Sequence, residues 1–115
     1  MNIVIRTKDL PPEQQDAIRS CLRFIVESGE LEGEFETRMG VTEAEVRSIL
    51  DTWPEVDDVA ESSRAVIAIN NALNEVCHGV SVRDWERWFV VPRETVKAAY
   101  VAWARGRGWR TTGIK

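Results

Sequence analysis

Apolar residues along the chain fall into four stripes with helical spacing. Ala17, Ile18, Cys21, Leu22, Ile25 and Val26 recur at i, i+1, i+4, i+5, i+8 and i+9, one face of a helix. Pro11-Pro12 marks its start, Glu13 and Asp16 suit its positive end, and Gly29 stops it. Val46, Ile49, Leu50 and Trp53 make a second stripe between the capping box Thr42-Glu43-Ala44-Glu45 and Pro54. Ala65, Val66, Ile69, Ala72, Leu73, Val76 and Cys77 share one arc of a helical wheel, with Ser62 or Ser63 as cap and Gly79 as stop. Val96, Ala99, Tyr100 and Trp103 form the fourth stripe, behind Pro92 and ahead of Gly106 and Gly108.

Two shorter helices are predicted between these. The acidic run from Glu30 to Glu36 reads as one or two turns ending near Met39-Gly40. Ser81-Val82-Arg83-Asp84 opens a second, carrying Trp85, Trp88 and Phe89. Ile3-Val4-Ile5 has the composition of a short strand, which would need a partner from the C-terminal tail or a second subunit. The expectation is an all-α, compact single-domain helical bundle over residues 1–115, with four longer and two short helices. It allows one short N-terminal strand, and residues 106–115 read as a flexible C-terminal tail.

The length of 115 residues suits one core. Hydrophobic residues at 43% and charged residues at 30% fit a folded chain rather than a disordered one. No apolar h-region follows Met1, and no run reaches the ~18 apolar residues of a membrane span. Cys21 and Cys77 lack CxxC spacing and read as reduced, buried thiols, with a disulfide open if their helices touch. The expected location is cytoplasmic, with no membrane association. P-loop, GxGxxG, paired CxxC and HExxH patterns are absent, so no cofactor and no metal are expected.

One spacing occurs twice, at residues 35–49 and 85–99: a helix, a tight turn, a Val, a Thr or Pro helix start, then a Val. It resembles the helix-turn-helix spacing of DNA-binding domains, in which a Gly sits in the turn and a β-branched residue packs between the helices. The first copy has Gly40 in the turn but Glu36 where close packing wants a small residue, and Glu43, Glu45 and Asp51 would repel phosphate. The second copy has Val90 in place of the glycine, with Arg93 and Lys97 against Glu94.

Charge changes this picture more than composition does. The net of −4 is the sum of two unlike parts. Residues 1–82 hold seven basic and sixteen acidic side chains, a net of −9, and residues 83–115 hold eight and three, a net of +5. Four of the five tryptophans lie in the basic part. Arg83, Trp85, Arg87, Arg93, Lys97, Arg105, Arg107, Trp109 and Arg110 are therefore the candidate protein- or polyanion-binding residues. Arg beside Trp suits protein hot spots and also single-stranded nucleic acid.

The third helix carries a polar back face of Asn70, Asn71, Asn74, Glu75 and His78. Asn is unfavourable inside helices, so this stripe reads as side-chain amides bonding loop backbones. Its functional reading is a polar site, with Glu75 and His78 as an acid–base pair or half of a di-iron motif. Together these features read as a small interaction or regulatory module rather than an enzyme. It self-associates as a homodimer, or binds a protein partner, through its basic C-terminal third. A nucleic-acid-binding regulator with a helix-turn-helix-like unit at 85–105 is the first alternative, and an enzyme centred on Glu75 and His78 the second.

Overall fold

The computed structural model describes residues 6–60 and 62–109. The fold is all-α, with six α-helices among the described residues: α1 Pro12–Glu27, α2 Phe35–Met39, α3 Glu43–Thr52, α4 Arg64–Asn74, α5 Trp85–Trp88 and α6 Arg93–Gly106. A 3-10 turn at Thr7–Asp9 precedes α1, and a π turn at Glu75–Gly79 extends α4. The segment Ile3-Val4-Ile5 lies outside the described residues.

The helix starts obey the local chemistry. Thr42 and Glu45 exchange both capping-box bonds at 3.1 Å, and Ser63 Oγ accepts from the Val66 amide at 3.1 Å. Gly40 ends α2 in the left-handed region at φ +71. A Cβ there would be strained, and would also meet Ile67 Cγ2 of α4 at 3.0 Å.

Helix α1 is the central element, packing against α3, α4, α5 and α6, while α4 packs against α1, α2, α3 and α6. The α1 stripe is buried as its spacing predicts, and Phe24 joins it. Both copies of the repeated spacing fold as a short helix, a turn and a longer helix (α2–α3 and α5–α6), and both longer helices rest on α1. The short helices have only five and four residues.

One expectation is corrected. Helix α4 does not run regularly to Cys77: it passes at Glu75 into the π turn, closed by the Val80 amide on the Glu75 carbonyl at 2.8 Å. The extra residue in that turn rotates the side chains beyond it, and Cys77 is half-buried rather than on the fully buried arc. Of the chain after α6, residues 107–109 are described, and Arg107 and Trp109 pack back on the core. Trp109 packs edge to face on Trp103 with centroids 5.3 Å apart, and the Arg107 guanidinium sits over both rings. The buried side chains form one cluster. Among the described residues no helix is long and apolar enough to cross a membrane.

Candidate interaction site

The candidate residues of the basic third separate into two groups in space. Arg83, Arg87, Arg93 and Lys97 are exposed around the corner where α5 meets α6, and among the described residues none has a carboxylate within ion-pairing distance. Arg105 is exposed and Arg107 buried at the far end of α6, about 20 Å away at 1.5 Å per residue. Arg110 lies outside the described residues. The charge divides with them. Residues 83–97 hold four basic and three acidic side chains, a net of +1. Among the described residues, the excess that looks like one patch in sequence is not one patch on the surface.

The corner is built on aromatic stacking. Trp85 stacks on Phe89 with centroids 4.0 Å apart and planes within 13°, and Arg93 Cζ lies 4.3 Å from the Trp85 centroid. Phe89 and Arg93 must therefore cover opposite faces of the indole. Trp85 Nε1 donates to the Val91 carbonyl at 2.7 Å, and Arg93 Nη2 donates to the Val82 carbonyl at 3.2 Å. Trp88 meets Phe24 edge to face at 5.4 Å, with Arg23 and Arg87 against its ring. The turn these contacts brace holds Val90 out, 88% exposed. Trp85, Glu86, Phe89, Val90, Val91, Pro92 and Arg93 line an open groove of about 380 Å³ there.

The polar stripe of α4 is divided as well. Asn71 Nδ2 donates to the Met39 carbonyl at 2.8 Å, and Asn70 Oδ1 accepts from Tyr100 Oη at 3.2 Å. Glu75 is buried and accepts two bonds from the Arg38 guanidinium, one of them from Nε at 3.1 Å. Asn74 and His78 are exposed. Glu75 thus faces Arg38 of α2 and not His78, and this stripe ties α2 onto α4. Among the described residues no three His, Cys, Asp or Glu side chains converge as metal ligands.

Gly79 closes over the Arg38–Glu75 pair: a Cβ there would overlap the Glu75 carboxylate and lie 3.0 Å from Arg38 Nη2. That carboxylate is buried and doubly held, so relieving the overlap breaks the pair. Gly79→Ala is expected to destabilise the fold by about 2–3 kcal/mol in denaturant unfolding; an unchanged midpoint would show that the pair yields without loss.

A polar cluster that sequence reasoning missed anchors Arg6 and the 3-10 turn that follows it. Asp58, fully buried, accepts from the Thr7 amide at 2.8 Å, from Thr7 Oγ1, and from Arg6 Nε at 3.0 Å. Burial raises the Asp58 pKa, but the Thr7 and Arg6 bonds outweigh it and hold the carboxyl below its ordinary value. On the surface, the Arg64 guanidinium and the Thr42 amide lower Glu45 to about 2. Burial pushes the Cys21 and Cys77 thiols up, Cys21 well above the ordinary thiol value. Both thiols are free. Compared with known protein families, curated proteins and solved structures, the chain matches none.

Proposed function

We propose that this protein is a self-associating interaction module and that the α5–α6 corner is the contact between two copies. The observation that carries this reading is Val90, 88% exposed on a turn whose neighbours are tied down on both sides. Scattered exposed apolar residues are ordinary. Val90 is different in standing over a groove walled by Trp85, Phe89, Val91 and Pro92, with Glu86 and Arg93 also lining it. Aromatic and Arg side chains are what protein interfaces concentrate.

The charge pattern favours a second copy as the occupant. Basic and acidic residues alternate around the corner as Arg83 and Asp84, Glu86 and Arg87, Arg93 and Glu94, all six exposed. A two-fold contact sets a patch against itself, so it needs a patch that is its own complement. The same alternation disfavours nucleic acid, because Asp84, Glu86 and Glu94 would face phosphate. Trp85 is also covered on both faces, so a base would have to displace Arg93 before stacking there. An enzyme reading loses support because the Glu75 carboxylate is already taken by Arg38.

Light scattering over a concentration series tests the proposal. The wild-type mass is expected to rise from that of a 13.1 kDa monomer toward twice that value. Val90→Asp would set two carboxylates against each other at the symmetry axis, and this variant is expected to stay monomeric at every concentration. A wild-type mass that never leaves the monomer value, or a Val90→Asp variant that dimerises equally well, would overturn the proposal.

A further inference from the structure

Between the end of α4 and the first turns of α6 lies a recess of about 130 Å³, lined by Val76, Cys77, Trp85, Arg93, Val96 and Lys97. That volume holds several waters or one small polar group. Two of its walls are cations, none is a carboxylate, and Arg93 and Lys97 have no ion-pair partner among the described residues. They stand at i and i+4 on one helix, where like charges repel. The guanidinium is fixed by its stack on Trp85 and its bond to the Val82 carbonyl, which leaves its other N–H groups available. The recess also sits at the positive end of the 14-residue α6, whose N-cap Pro92 supplies no side-chain acceptor. Val76 and Val96 are buried beneath it, so charge there is less screened than at an open surface. Burial keeps the Cys77 thiol neutral at pH 7, so it does not offset the two cations.

We propose that this recess binds one small oxyanion, a phosphate or carboxylate group, between the Arg93 guanidinium and the Lys97 ammonium. The site is complete within one molecule and does not depend on self-association, although it shares Trp85 and Arg93 with the corner. Bound there, the anion covers Cys77 and neutralises the repulsion between the two cations.

Cys77 supplies the readout. It is half-buried in the recess wall, whereas Cys21 is fully buried and reports any general opening. Dilute protein is alkylated with iodoacetamide, a neutral reagent, in inorganic phosphate or acetate, with chloride holding ionic strength constant. At an anion concentration about ten times Kd, mass action leaves roughly a tenth of the sites open, so Cys77 labelling is expected to slow about tenfold. Lys97→Met should lose most of the protection; because the Lys97 charge also lowers the Cys77 pKa, protection is read as the ratio of rates with and without anion within each variant. An unchanged Cys77 rate through the anion series, or equal protection in Lys97→Met, overturns the proposal. So does protection that appears only as protein concentration rises, because that would make a second copy, not a small anion, the cover of Cys77.

Discussion

Asp58→Ala is expected to cost about 3–5 kcal/mol, because it strands two buried donors at about 1–3 kcal/mol each. Asp58 is fully buried, and its loss strands the Thr7 amide and hydroxyl, in a residue that is itself fully buried. The 3-10 turn at Thr7–Asp9 and the loop around Val56 then keep, among the described residues, only the Arg6 bond to the Val56 carbonyl and the exposed Lys8–Glu55 pair between them. Chemical denaturation of the variant against wild type measures the effect; a shift under about 1 kcal/mol would mean that water replaces the Asp58 bonds at little cost. The pH dependence has a definite sign. The Asp58 pKa is lower folded than unfolded. The stability it supplies is therefore complete above the unfolded value, about 3.9, and is lost as pH falls through the folded value. Asp58→Asn should remove that part of the acid dependence and be destabilised at neutral pH.

Trp103→Ala is the second large effect, expected at about 3–5 kcal/mol. Trp103 is 0% exposed and is the largest fully buried side chain among the described residues. Its removal leaves a cavity where α6 rests on the core, and it also removes the surface that orders the chain after α6. Trp109 would lose its edge-to-face partner, and Arg107 one of the two rings beneath its guanidinium. Arg107 is buried and also donates to the Val59 carbonyl at 3.2 Å, so the 56–60 loop should loosen with it. Unfolding midpoints measure the cost, and near-ultraviolet circular dichroism reports the aromatic pair. A Trp103→Ala variant with native stability and an unchanged aromatic signal would contradict this account of how the chain after α6 is held.

How much of the fold was legible in the sequence depends on how far apart the interacting residues lie. The α1 stripe, the Thr42–Glu45 capping box and the Ser63 cap are set by residues within a few positions of one another, and each is found as its spacing predicts. The asparagine stripe was half legible. The cost of Asn inside a helix pointed to amides bonding loop backbones; Asn71 bonds a backbone carbonyl, but that of Met39 at the end of α2, and Asn74 and His78 face solvent. The Arg38–Glu75 pair spans 37 positions and the Thr7–Asp58 bonds span 51, so no local periodicity announces them. Asp58 sits in an acidic loop and reads as solvated until its partners are known. The π turn, which takes Cys77 off the buried arc, likewise leaves no mark in a wheel drawn at about 100° per residue.

The charge split shows the opposite failure, a sequence signal that space dissolves. The net of +5 over residues 83–115 looks like one basic surface. Helix α6 carries its two ends about 20 Å apart, and the corner that remains is nearly neutral. What survives there is a braced aromatic turn with Val90 at its tip and alternating charge around it. That shape is the reason to read the corner as a contact between like molecules.

The most direct test of that reading is a set of amide and methyl NMR spectra of the wild-type protein from dilute to concentrated solution. The account predicts concentration-dependent shifts centred on the Val90 methyls and on the amides of residues 83–97, the Trp85 indole included, with the exposed face of α3 unmoved. Spectra that do not change with concentration, or that change mainly outside residues 83–97, would contradict it.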